Sequence, residues 1–252
     1  LTPPTISASA MSSWSVDSAS VQGVAKDATS KVTSVYYSLD KSDFTNHLED
    51  KLDSTKPSIK KACFQPATGD FIFDIESEKS KAAICYIWAF DSVGNRSIEP
   101  TEVMLNFDAQ KPEISLVSKT PNDNWTNEVV AMKVRAEDCG EIQSGLKEVY
   151  YATNRQGADP IYIDMAALED GTFTVLSPTD EGGNPVAWSG NYYFWAKDQA
   201  GNLSEPLKVK VNVDVQAPSI KTVELYEMKE DELLEITEGY THGIYGNHPI
   251  RL

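Results

Sequence analysis

Basic residues, cysteine and histidine are all scarce in this 252-residue chain. Lys and Arg number 22 against 38 Asp and Glu, for a formal net charge of −16. Phosphate backbones are bound by clustered cations, so this balance disfavours nucleic acid and anionic membranes as partners. No apolar run approaches the roughly 20 residues that span a bilayer, so no membrane insertion is expected in this segment. Three cysteines, Cys63, Cys85 and Cys139, form no zinc spacing. Their odd number leaves at least one thiol free or paired elsewhere. The histidines are His47, His242 and His248; the last two have no carboxylate or Cys at ligand spacing, and loop or surface placement is the expectation. Gly-x-Ser-x-Gly, His-Glu-x-x-His and a phosphate-cradling glycine loop are all absent. The expectation is a chain that is not an enzyme. It opens Leu1-Thr2-Pro3-Pro4 without an initiator Met, which reads as a mature or excised segment.

What the chain does have is a repeat. Pro4-Thr5-Ile6-Ser7 returns as Pro112-Glu113-Ile114-Ser115 and again as Pro218-Ser219-Ile220-Lys221, at intervals of about 107 residues. The last two follow the leads Asp108-Ala109-Gln110-Lys111 and Asp214-Val215-Gln216-Ala217. Trp14-Ser15 matches Trp125-Thr126, and Val35-Tyr36-Tyr37-Ser38 matches Val149-Tyr150-Tyr151-Ala152. Trp88-Ala89-Phe90-Asp91-Ser92-Val93-Gly94-Asn95 matches Trp195-Ala196-Lys197-Asp198-Gln199-Ala200-Gly201-Asn202. The period is far longer than a solenoid repeat and close to one sandwich domain.

The local patterns are those of strands. Val130, Met132, Val134 and Ala136 alternate with polar residues, and Ala19, Val21, Gly23 and Ala25 match them. Glu102 to Phe107 and Lys208 to Val213 read as final strands; Phe71 to Ile75 and Thr172 to Leu176 supply another pair. Leu48 to Leu52 and Met165 to Leu168 make short turns at most. The expected fold is all-β, a tandem of antiparallel sandwiches. Its domains are residues 1–108, 109–214, and 215–252 as the incomplete start of a third unit. In that last unit Tyr245 to Leu252 read as an approach to a second strand.

The run Ser144-Gly145-Leu146-Lys147-Glu148-Val149-Tyr150-Tyr151 and the endings Ala89 to Asn95 and Ala196 to Asn202 resemble the tandem immunoglobulin-like domains of bacterial surface and secreted proteins. The resemblance covers about residues 3–214. It implies an extracellular or cell-surface structural or adhesive module, acting as a spacer or contact surface beside neighbouring domains of the same chain. It equally accommodates an accessory region of a secreted carbohydrate-active enzyme or peptidase. Fold alone does not choose among these.

Three sets of residues invite a functional reading. Asp91 with Asn95, and Asp198 with Asn202, sit at strand ends as either structural turns closed by Gly94 and Gly201 or Ca²⁺ ligands. Alternation along the aromatic strands sends Cys85, Ile87, Ala89, Tyr192, Phe194 and Ala196 inward, and Tyr86, Trp88, Tyr193 and Trp195 outward. Those four outward rings either form an exposed face for a glycan or protein ligand or lie beneath loops and lysine stems. Cys85 lies on a core strand and Cys63 on a neighbouring one, leaving open either a Cys63–Cys85 bridge or two free thiols. Asn106 and Asn212, on the final strands, are conceivable partners for an isopeptide bond to a lysine.

Overall fold

The computed structural model describes residues 2–45 and 56–219, together with 226–229, 232–235 and 250–251. Residues 1–214 form one compact unit and 215–252 a second.

The first half of the larger unit runs β1 (Thr5–Ala10), β2 (Ser18–Lys26), β3 (Val32–Ser38), α1 (Lys41–Thr45), β4 (Lys60–Lys61), β5 (Cys63–Phe64), β6 (Asp70–Glu76), β7 (Lys81–Asp91) and β8 (Thr101–Phe107). Two antiparallel sheets result, ordered β1-β2-β6-β5 and β4-β3-β7-β8. The second half runs β9 (Glu113–Thr120), β10 (Ala131–Glu137), β11 (Leu146–Ala152), β12 (Ile161–Tyr162), β13 (Thr172–Leu176), β14 (Trp188–Asp198) and β15 (Leu207–Val213). Its sheets are β13-β10-β9 and β12-β11-β14-β15. The order repeats except that no described strand takes the place of β5. This is the immunoglobulin-like arrangement, in which a sheet of first, second and late strands faces a sheet built on the third and the last two.

Period-2 patterning explains each sheet. Ala19, Val21 and Ala25 of β2 point inward with Phe71, Phe73 and Ile75 of β6, while Ser20, Asp70 and Asp74 face out. Gly23 interrupts the series because the Phe71 ring occupies its space: a Cβ there would sit 2.4 Å from that ring. Cys85, Ile87 and Ala89 of β7 close the first core from the opposite sheet. In the second core Met132 and Val134 of β10 meet Tyr192, Phe194 and Ala196 of β14. These are the inward positions expected from alternation.

The ends of the sandwiches are tied alike. Ser15 and Thr126 form parallel bridges to Phe107 and Val213, and Asp108 and Asp214 donate their N–H groups to the carbonyls of Ser15 and Thr126. The amide of Asn106 donates to Ser13 O and that of Asn212 to Asn124 O, both backbone ties. The expected short turn after residue 164 is present as a 3₁₀ turn over Met165–Ala167, capped by Asp164. The expected turn over Leu48 to Leu52, and His47, His242 and His248, lie outside the described residues.

In the smaller unit β16 (Tyr226–Lys229) pairs with β17 (Glu232–Glu235) and β18 (Ile250–Arg251). Pro218 and Ser219, expected to open a strand, are without regular structure; Ile220 and Tyr245 to Pro249 lie outside the described residues.

Phe194 is wholly buried at the centre of the second core. Phe194→Ala should cost about 3–5 kcal/mol of stability in a urea titration, from lost burial and the cavity left behind. A loss below about 1 kcal/mol would contradict that packing.

Candidate functional site

The outward aromatics are on the sheet face that alternation assigns them, but the two tryptophans are not exposed. Trp88 is 0% exposed and belongs to a separate cluster with Phe44 and Ile59. Phe44 comes from α1, a helix that no periodicity in the sequence announces, and its ring meets Trp88 edge-on at 5.7 Å. Arg96 lies 4.2 Å over the other side of Phe44 and donates to its carbonyl at 2.8 Å, locking the cover in place. The indole N–H of Trp88 has no acceptor among the described residues. Trp195 is 6% exposed, stacked on Tyr150 at 5.4 Å with the Gly157 loop across it. Tyr86 and Tyr193 are half-buried. An exposed face made of all four rings is therefore corrected for its tryptophans: Phe44 and Ile59 cover Trp88 and the Gly157 loop lies against Trp195, because large apolar surface is costly to leave in water, while Tyr86 and Tyr193 stay half-exposed.

The cysteine alternatives resolve to free thiols. Cys63 pairs with Ile72 on the outer face of its sheet, between the buried Ala62 and the core-packed Phe64. Cys85 points into the core from the opposite sheet. A Cys63–Cys85 bridge would need β5 to turn over, so that reading is corrected. Burial pushes the Cys85 thiol up to about 12. Burial, helped by the nearby Glu113 charge, also raises Cys139, which works against the thiolate a nucleophile needs.

The two Asp–Asn pairs form matching turns. Asp91 Oδ1 accepts from the N–H groups of Val93 (3.0 Å) and Asn95 (2.7 Å); Oδ2 accepts from Asn95 Nδ2 (2.6 Å) and Ser30 Oγ (2.8 Å). Asp198 repeats this with Gly201 N, Asn202 N and Asn202 Nδ2 at 2.7–2.8 Å. Gly94 and Gly201 adopt φ of +91° and +110°, which a side chain would resist. Both asparagines turn their amide nitrogen, not their oxygen, toward the carboxylate, and Asn202 Nδ2 also donates to Asp108 O. Asn95 and Asn202 thus do not fit as calcium ligands in this geometry.

A different set does converge. The carboxylates of Asp108, Asp138 and Asp198 lie within 4.8 Å of one another, with Asp108 and Asp198 wholly buried. Asp108 comes from the stretch between β8 and β9, Asp138 from the β10–β11 loop, and Asp198 from the end of β14. Asp108 Oδ2 accepts from Ser144 N at 2.8 Å, and Asp138 Oδ2 from Gly145 N at 2.6 Å. Oxygen-only donors carrying three negative charges suit a hard divalent cation. Sequence reading found Asp198 alone, because the other two are distant in the chain and carry no local motif.

No protein-family model and no curated protein matches the chain. Among solved structures it is similar to the fibronectin(III)-like modules of Clostridium thermocellum CbhA, at 14% identity over 87% of this chain and 100% of that one, with a TM-score of 0.43. It is also similar to the Escherichia coli adhesin FdeC, at 13% identity over 83% of this chain and 64% of that one (TM-score 0.37). The D00-D0 domain of Intimin matches 81% of this chain and 98% of its own at 12% identity (TM-score 0.28). Sheet order and register, rather than these likenesses, carry the fold assignment.

Asp91 and Asp138 titrate in opposite senses. Burial works against the charge on Asp91, but the Asn95 and Ser30 hydrogen bonds outweigh it and hold the carboxyl below its ordinary 3.8. Burial, with the Asp108 and Asp198 charges, holds Asp138 above 3.8 despite the Gly145 N–H. Asp91 therefore contributes stability present above its unfolded pKa and lost as pH falls through its lowered folded value. Asp138 is the reverse: its charge penalises the fold above its raised pKa, and acidification through that value relieves the penalty. Carboxyl-carbon NMR titration should place Asp138 above and Asp91 below an unfolded Asp; the opposite order would refute both environments.

Thiol chemistry separates the cysteines as well. In the native protein a maleimide reagent should label Cys63 first and leave Cys85 untouched until unfolding. Peptide mapping that finds Cys63 and Cys85 linked would refute the register of β5.

Proposed function

We propose that residues 1–214 are a non-catalytic structural or adhesive module of a larger surface or secreted protein, made of two immunoglobulin-like units held in fixed relation. The observation that carries this reading is Asp108. It follows the last core residue of the first sandwich, Phe107, and its backbone nitrogen is bound to Ser15 of that sandwich. Its carbonyl and carboxylate are bound to Asn202 and Ser144 of the second. One wholly buried residue thus joins both sandwiches, and an exposed Lys111–Glu205 pair at 2.8 Å adds little to it. A linker bonded on both sides resists bending, which suits a spacer that projects a contact surface. Extracellular placement, like the division at residues 108 and 109, belongs to this proposal. The adhesin and fibronectin-like neighbours are in keeping with it, and an accessory role beside a catalytic domain fits the same geometry.

A second reading, Ca²⁺ at the junction, is favoured by the convergence of Asp108, Asp138 and Asp198. A cation there would offset their mutual repulsion and tighten the same joint.

One experiment addresses both. Residual dipolar couplings of the native chain should fit a single alignment tensor for residues 2–107 and 113–213, and Asp108→Ala should split it into two. Two tensors in the unaltered protein would sink the rigid-spacer reading. Repeating the measurement with CaCl₂ and with EDTA tests the cation: tightening by calcium that Asp138→Asn abolishes assigns it to the cluster, and identical couplings in both remove it.

A further inference from the structure

The same face of the two sandwiches is finished differently. In the first, Phe44 and Ile59 fill the space over Trp88, and Phe90 adds a ring against Tyr36 at 5.8 Å. The second has no counterpart to Phe44 among its described residues. The position of Phe90 is taken by Lys197 and that of Ser34 by Glu148, which pair across β11 and β14 at 3.4 Å. The position of Lys61 is taken by Tyr162, paired with Tyr150 as Lys61 is with Tyr36. What remains is an open cavity of about 480 Å³ whose lining includes Tyr150, Tyr162, Pro160, Glu148, Lys197 and Leu203.

The cavity has a built chemistry. Tyr150 is backed by Trp195 in a near-parallel stack (5.4 Å, 18°), which fixes its ring. Tyr162 leans over Tyr150 at 5.4 Å and 49° and is otherwise open, 59% exposed. The same lining holds one carboxylate acceptor, Glu148, and one ammonium donor, Lys197, whose charges cancel. The volume lies within the range of small-ligand pockets, about 300–1,000 Å³.

We propose that this cavity binds a neutral pyranose ring, as a free sugar or a glycan residue. A pyranose has one apolar C–H face and a rim of hydroxyls. The face matches the tyrosine wall, and the rim matches Glu148 as acceptor and Lys197 as donor. An anionic ligand is disfavoured by the neutral pair and by the net charge of −16. This site goes beyond the spacer reading and is tested separately: Tyr150, Tyr162, Glu148 and Lys197 make no side-chain bond to Asp108, although Gly201 of the Asp198 turn also lines the cavity.

The test is saturation-transfer NMR on the full chain with the methyl glycosides of glucose, galactose, mannose and N-acetylglucosamine. At least one should receive saturation on its C–H face at millimolar concentration, with shift changes confined to Tyr150, Tyr162 and the Trp195 indole. Tyr162→Ala, a change at an exposed ring that leaves the core intact, should weaken binding by about tenfold or more. Glu148→Gln should weaken it less, and Lys61→Ala, at the matching place in the first sandwich, should leave it unchanged. No transfer to any of the four glycosides overturns the proposal, as does binding indifferent to Tyr162→Ala. A Tyr162-dependent dimer in sedimentation velocity overturns it too, by making a second copy of the chain the occupant.

Discussion

Burial of one long strand on both of its faces is the constraint from which the rest of the molecule follows. β7 and β14 each send alternate residues into a sandwich core and the others beneath a covering segment. Cys85, Ile87 and Ala89 fill one side of β7 while Trp88 is sealed on the other. Phe194 and Ala196 do the same on β14, with Trp195 behind them. A strand buried on both faces has no freedom of register, since a one-residue slip would exchange two apolar sets of different size and shape. The partners β3, β8, β11 and β15 are fixed in turn, and with them the turn that follows each long strand.

That turn is where local structure becomes domain organisation. Asp91 and Asp198 end their strands by gathering backbone and amide donors, which a carboxylate does better than a neutral side chain. In the second sandwich the turn acquires a further task. Asn202, already bonded to Asp198, reaches the carbonyl of Asp108, so the end of β14 becomes part of the joint between sandwiches. Three carboxylates then crowd together, a cost that the N–H groups of Ser144, Gly145, Gly201 and Asn202 offset. In the first sandwich Asp27 stands at the place of Asp138, and the Ser30 hydroxyl lies between it and the turn, 3.0 Å from Asp27 Oδ1 and 2.8 Å from Asp91 Oδ2.

The strands were readable in the sequence because period-2 alternation and the repeat each point to them independently. Orientation along β7 and β14 followed from the same pattern. Solvent exposure did not, because it depends on segments with no period: α1 and residues 56–59 in one sandwich, the loop around Gly157 in the other. An Asp-x-x-x-Pro lead was visible, yet its carboxylate could not be joined to Asp138 or Asp198, since nothing in their spacing records proximity. The pairing of Glu148 with Lys197 was hidden for the same reason: it exists only once β11 and β14 are in register. The likeness of Cys63 and Cys85 to a bridge failed on side-chain direction, which a single residue of difference in strand phase reverses.

The difference between the two sandwiches shows how a repeated fold admits a new surface without changing its core. The inner positions of β3 and β11 both end in tyrosine packed against the core, Tyr37 and Tyr151. Their outer neighbours, Tyr36 and Tyr150, begin from the same place and meet different surroundings. Tyr36 is boxed by Phe90 and the Lys61 ammonium, and the adjoining Trp88 is closed over by Phe44. Tyr150 is braced by Trp195 and flanked by the exposed Tyr162, beside an ion pair that stays partly hydrated. Substitution of three outer positions and one connecting segment separates a sealed apolar cluster from a polar-rimmed aromatic cavity. Neither change touches an inward residue, so core packing places little constraint on them, and the outer face of this sheet is where such a module can vary its contacts while the array keeps its geometry.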